Sequence, residues 1–204
     1  MNLNEITEYS DPFKHWEIFN CLDKETLDEM VLASIPDGKR SYDGTRAADY
    51  TGEGIDGKLR LFIDKQNSSN FPNLTKLINF LQTQKISSLL GKLLKKNLSN
   101  SYVRLEVIGD KTGFWLKPHK DIEEKLMTMM IWANPYNESE SLGTDLYNKD
   151  FKLIKTVKYI NNNGYFFSSG NDTWHGLELK KILKERRCIQ INYVSFKTDW
   201  PVSS

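Results

Sequence analysis

Cysteine is nearly absent: Cys21 and Cys188 are the two in 204 residues. They are too few and too far apart for a disulfide framework or a zinc ribbon, so a reducing, cytoplasmic setting is expected. No apolar run approaches the roughly 20 residues that a membrane-spanning helix needs, and MNLNEITEYSD at the start lacks the basic-then-apolar order of a secretory signal. An excess of either charge is missing too, since Lys+Arg 28 against Asp+Glu 27 leaves a formal charge of +1. A nucleic-acid-binding face must neutralise several phosphates, so no polynucleotide partner is expected. The densest basic run, KLLKKN at 92–97, reads as a solvated helix face. Repeats and low-complexity tracts are also absent.

Large side chains are plentiful. The sequence is 39% hydrophobic and 12% aromatic, which is far from the composition of a disordered chain. At 23.7 kDa it predicts a single domain with a sizeable core. Its character changes near residue 100. Before that point, Leu27, Met30 and Val31 follow Asp23, a candidate helix cap; Leu74, Leu77, Ile78 and Leu81 follow Pro72; and Ile86, Leu89, Leu90, Leu93 and Leu94 repeat the same i, i+3, i+4 stripe. The aperiodic Gly- and Asp-rich stretch 36–58, with Arg46 and Tyr50, is expected to be a long, lid-like loop. LRLFI at 59–63 reads as a short strand.

After residue 100 the pattern becomes SYVRLEVI (101–108), KLMTMMIWA (125–133), LIKTVKYI (153–160), GYFFSS (164–169) and RRCIQINYVSF (186–196), separated by Gly/Asn/Asp turn clusters. Short strands without intervening helices imply antiparallel pairing in a sandwich, jelly roll or barrel. The predicted class is therefore mainly β with flanking helices (α+β): residues 1–100 supply helical support and the lid-like loop, and 101–197 supply the β core.

With only three histidines, the position of each carries weight. His15, among aromatics in PFKHWEIF, reads as structural. His119 and Asp121, in KPHKD, stand two apart, so in an extended segment both side chains face the same way. A third donor, His175 in NDTWHG, lies downstream. Two imidazoles and a carboxylate on one face of a metal leave open positions, the arrangement used by non-haem Fe(II) oxygenases. His-x-Asp alone is not specific. A keto-acid co-substrate would add a distal carboxylate, which suits a planar guanidinium. In RRCIQINYV, alternation places Arg186, Cys188, Gln190 and Asn192 on a polar, cavity-facing side, and Arg187, Ile189, Ile191 and Tyr193 on a side that packs against helices. Arg186 is therefore preferred to Arg187. In KLMTMMIWA, Thr128, Met130 and Trp132 share a face; if that face looks inward, Thr128 can reach the co-substrate and Trp132 can form a wall, with ordinary core packing the equal alternative for Met130 and Trp132.

The order His119-x-Asp121, His175, Arg186 resembles the Fe(II)/2-oxoglutarate-dependent dioxygenase superfamily over about residues 101–196, and within it the prolyl-hydroxylase-like branch. The resemblance implies a double-stranded β-helix (jelly roll) core with N-terminal helices packed on one sheet. It implies Fe(II) held by His119, Asp121 and His175, with 2-oxoglutarate as co-substrate, salt-bridged by Arg186 and further contacted by Thr128 and Tyr102. The reaction it implies consumes O₂, releases succinate and CO₂, and hydroxylates a C–H bond of a small molecule or peptide. Asp121 stands where related halogenases carry a small residue, which favours hydroxylation. Asp145 and Tyr147, in GTDLYNKD, are candidate substrate contacts. A cupin-like metal enzyme or sugar epimerase, or a non-catalytic jelly-roll binding protein, remains open at this point.

Overall fold

The structure, a computed structural model, describes residues 1–36 and 60–203. The candidate lid residues Arg46 and Tyr50 lie outside the described residues. Helix α1 (Lys24–Leu32) starts where Asp23 accepts a hydrogen bond from the Thr26 amide at 2.8 Å. Helix α2 (Pro72–Gln82) opens on the proline whose missing N–H costs nothing there. Its first turn is capped from a distance: the Glu29 carboxylate of α1 accepts from the amides of Asn73 at 3.1 Å and Leu74 at 2.7 Å. Helix α3 (Gln84–Leu94) stops at Lys95, in the left-handed conformation. The stripes Leu74, Leu77, Ile78, Leu81 and Ile86, Leu90, Leu94 are buried as the spacing predicts, whereas Leu89, counted in the second stripe, is 40% exposed.

Twelve strands form two antiparallel sheets among the described residues. The larger runs β1 (Ile6–Tyr9), β2 (His15–Ile18), β9 (Gly164–Phe167), β6 (Lys125–Ala133), β11 (Arg186–Val194), β4 (Tyr102–Asp110) and β12 (Trp200–Pro201), with β3 (Arg60–Ile63) also paired to β4. The smaller runs β5 (Leu116–His119), β10 (Trp174–Leu177), β7 (Thr144–Tyr147) and β8 (Leu153–Val157). The first hundred residues thus contribute three strands as well as helices. Segments such as ITEY and HWEI are too short for a period of two to stand out, and pairing with neighbours defines them.

Strand β11 is buried along its whole length, between β4 and β6. One face of it meets the helices: the Tyr193 hydroxyl donates to the Leu81 carbonyl at 2.5 Å and Arg187 Nη1 to the Ala33 carbonyl at 2.8 Å. Arg187 is also held by Glu185, so it belongs to the helix side, as alternation predicts. The approach to β11 is fixed by Glu138, whose carboxylate accepts from the consecutive amides of Leu183, Lys184 and Glu185 at 3.0, 2.5 and 3.1 Å. The opposite face of β4, β6 and β11 turns toward the smaller sheet, and a cavity lies between the two. No helix among the described residues is long and apolar enough to cross a membrane.

Candidate metal centre

Pairing of β5 with β10 sets His119 directly opposite His175. The strands come unusually close there: a Cβ on Gly176 would stand 2.6 Å from the Leu116 carbonyl oxygen. The two rings lie 4.4 Å apart between centroids. Each is oriented the same way, His119 Nδ1 bonding to the Lys117 carbonyl at 2.9 Å and His175 Nδ1 to the Thr173 carbonyl at 3.0 Å. A carbonyl can only accept, so Nδ1 carries the hydrogen in the neutral ring and Nε2 presents its lone pair. Backbone–imidazole bonds of this kind orient ligating histidines.

Asp121 follows two residues after His119, just past the end of β5, and its side chain turns inward, with Oδ2 4.0 Å from His175 Nε2. One donor atom each from His119, Asp121 and His175 lies within 4.8 Å of the others. Asp121 is itself held: Lys125 Nζ donates to Oδ1 at 2.6 Å, Thr128 Oγ1 donates to Oδ2 at 2.6 Å, and Asn192 Nδ2 donates to Thr128 Oγ1 at 2.9 Å. Burial opposes ionisation of Asp121, but the Lys125 ammonium, His175 and the two hydrogen bonds outweigh it and hold the carboxyl well below the usual carboxylate range.

Arg186 lines the same cavity and is fully engaged within it. Nε donates to the Leu142 carbonyl at 2.5 Å, Nη2 to the Gly143 carbonyl at 3.3 Å, and Nη1 to Asp110 Oδ2 at 2.6 Å. Burial works against its charge, and Cys188 and Asp110 beside it work for the charge, so the guanidinium stays protonated.

The structure brings His119, Asp121, His175, Thr128 and Arg186 into one cavity and leaves other candidates out. Tyr102 sits at the first position of β4, opposite Val194, and does not line the cavity. Trp132 is no wall of it either; it is core, stacked on Tyr165 at 5.7 Å. Asp145 and Tyr147 fall on the far face of β7, because their neighbour Thr144 faces the cavity and side chains alternate. Asp145 is buried there, bound by Thr156 at 2.6 Å and by Lys180 at 2.6 and 2.8 Å. His15 is also structural: buried, stacked on Tyr9, and lowered in pKa by burial despite its bond to the Phe13 carbonyl.

Sequence reasoning missed Lys125, Asp110, Glu106 and Arg104, all of which line the cavity. The signal was present: in YVRLEVIGD the charged residues Arg104, Glu106 and Asp110 recur at even spacing, so one face of a buried strand is ionic.

Neither a protein-family model nor a curated protein matches the sequence. Solved structures do match in fold. A prolyl hydroxylase from Trichoplax adhaerens, in complex with a hypoxia inducible factor oxygen degradation domain peptide, superposes with a TM-score of 0.60 at 17% identity, over 89% of this chain and 83% of that one. A Pseudomonas putida prolyl-4-hydroxylase gives 0.63 at 11% identity, over 90% and 93%. A 2OG-Fe(II) oxygenase family oxidoreductase from Burkholderia pseudomallei gives 0.50 at 10% identity, over 72% of each chain. The fold of this chain is that of the prolyl hydroxylases and 2OG-Fe(II) oxygenases.

Proposed function

We propose that this chain is a non-haem Fe(II)- and 2-oxoglutarate-dependent oxygenase, built on a double-stranded β-helix core, that hydroxylates a C–H bond of a small molecule or peptide. The observation that carries this reading is the convergence of two imidazoles, each with its Nε2 lone pair set by a backbone bond at Nδ1, with an ionised carboxylate within 4.8 Å. Neutral nitrogens plus one anionic oxygen, with room left for further ligands, suit a ferrous ion. A bound iron with its keto-acid partner supplies the oxidising chemistry, consuming O₂ and releasing succinate and CO₂.

The chain's own residues do the rest. His119 and His175 offer the nitrogens and Asp121 the oxygen. Lys125 and Thr128 hold Asp121 through both oxygens and keep it from rotating. Phe114, Leu116, Met130 and Leu177 supply the apolar part of a cavity wall that is otherwise rich in charge, and would keep water from the reacting bond on their side. Arg186 takes the distal carboxylate of 2-oxoglutarate, and that carboxylate then shares the guanidinium with Asp110. A peptide substrate gains support from the peptide held by the Trichoplax structure.

Anaerobic addition of Fe(II) and 2-oxoglutarate should give a weak visible charge-transfer band. His119→Ala should abolish it, and Arg186→Ala should sharply raise the 2-oxoglutarate needed to reach it. A sugar epimerase or a plain binding module would give no band at all, and its absence from the wild type would end the oxygenase reading.

A further inference from the structure

Among the described residues, the cavity holds one positive charge that this reaction does not use. Three of its cations face carboxylates: Arg186 meets Asp110 at 2.6 Å, Lys125 meets Asp121 at 2.6 Å, and Arg60 meets Glu106 at 3.4 Å. A ferrous ion and a 2-oxoglutarate dianion would cancel each other. Arg104, which lines the same cavity, stands apart. Its Nη2 donates to a neutral partner, the Asn192 side-chain oxygen, at 3.0 Å. Its Nε is buried without an acceptor among the described residues, a state that folded proteins avoid unless something else fills it.

Arg104 is also held still. Its guanidinium lies 5.8 Å from the Phe62 ring centroid and 5.7 Å from that of Phe196. A flat cation in contact with two rings and backed by a side-chain amide is pre-positioned for a planar anion and loses little freedom on binding one. The position fits a substrate and not the co-substrate. On β11, Asn192 opposite Arg104 is six residues from Arg186 opposite Asp110, a backbone separation of about 20 Å at roughly 3.3 Å per residue. Arg104 belongs to the metal's end of that span, because Asn192 binds Thr128 at 2.9 Å and Thr128 binds Asp121 at 2.6 Å.

We propose that Arg104, backed by Asn192 and braced by Phe62 and Phe196, is a substrate-anion subsite, and that the substrate carries a carboxylate which it anchors beside the metal. The function of this subsite rests on the oxygenase reading above; its existence does not. The carboxylate can belong to a free amino acid or to the C-terminus of a short peptide.

The test is ligand-observed NMR on the metal-free protein with the free L-amino acids, the matching Gly-Gly-Xaa tripeptides, and the C-terminal amide of each. One or more acids should bind, with their amides at least tenfold weaker, and the responding arm identifies the source. Arg104→Gln should erase the difference, and Arg104→Lys should keep part of it; circular dichroism checks that both variants fold. No binding by any acid, equal binding of acid and amide, or full discrimination in Arg104→Gln would each overturn the proposal. So would a rise in the 2-oxoglutarate requirement of Arg104→Gln as large as that of Arg186→Ala, since Arg104 would then serve the co-substrate. Acid–amide discrimination in a protein that gives no iron–keto-acid band would sink the oxygenase reading and leave the subsite standing. A band without discrimination would do the reverse.

Discussion

At the scale of single residues, the candidate metal centre depends on groups outside its three donors. Thr128 donates to Asp121 at 2.6 Å while accepting from Asn192 at 2.9 Å, so it joins a candidate ligand to the central strand. Thr128→Val keeps the shape and removes both bonds. Groups of this kind typically contribute 10- to 100-fold in metal affinity, so Fe(II) affinity should drop about that much, read by competition with a chelator. Thr128→Ser should restore it; a Val variant with unchanged affinity would show that Asp121 needs no such support. Asp110 carries the opposite expectation. Its carboxylate is the present counter-ion of Arg186, so Asp110→Asn leaves a buried cation short of charge and should lower the melting temperature. The same change makes 2-oxoglutarate the better counter-ion, so its apparent affinity should rise and its addition should recover much of the lost stability, in proportion to the ligand's occupancy. A variant that is destabilised but indifferent to 2-oxoglutarate would remove Arg186 from the co-substrate site. The convergence of His119, Asp121, His175 and Arg186 on one cavity was legible because chemistry limits which residue types can hold a metal or a carboxylate. The place of Lys125 was not, because a lysine near a strand end looks the same in sequence whether it faces solvent or an ion pair.

At the scale of elements, alternation was the strongest guide. It assigned Arg186 and Gln190 to the cavity and Arg187 to the helices without any knowledge of register, because β11 is regular over nine residues. Strand β10 was invisible for the opposite reason: WHGL follows a turn-rich stretch, spans four residues, and is a strand only because β5 and β7 flank it. Yet β10 carries His175, and its register against β5 is what sets the two histidines opposite each other. Gly176 permits that register, since an added Cβ would stand 2.6 Å from Leu116 O and 3.1 Å from Lys117 C, both backbone atoms that cannot turn aside. Gly176→Ala should therefore force β10 away from β5, cost roughly 1–3 kcal/mol as overpacking, and weaken metal binding more than a mutation of equal cost elsewhere. Leu77→Ala, in the buried stripe of α2 on the other side of the large sheet, is the matched control. Equal metal affinity in two variants of equal stability would mean that the β5–β10 approach does not set the site.

At the scale of the whole molecule, the aromatic core makes the fold sensitive to alkali. Burial raises the phenols of Tyr147, Tyr159, Tyr165 and Tyr193 above their usual value and pushes the Cys21 thiol up to about 12. Released into water, these groups would lose protons near pH 10 for tyrosine and about 8.5 for cysteine. Above those values the unfolded chain binds fewer protons than the native one, so stability must fall as pH rises, beginning near the thiol's ordinary value and steepening through the phenols'. Four of the nine tyrosines in the sequence are these buried phenols, so they should stay protonated at 295 nm near pH 10 while near-ultraviolet circular dichroism stays native. They should ionise only with the cooperative loss of that dichroism. Cys21 and Cys188, both buried, should resist a thiol reagent at pH 8 until denaturant is added. Titration of these four phenols near pH 10 with the native spectrum intact would mean that the packing between the two sheets and the helices is open to water. A cavity that wet would not shield a reactive metal centre.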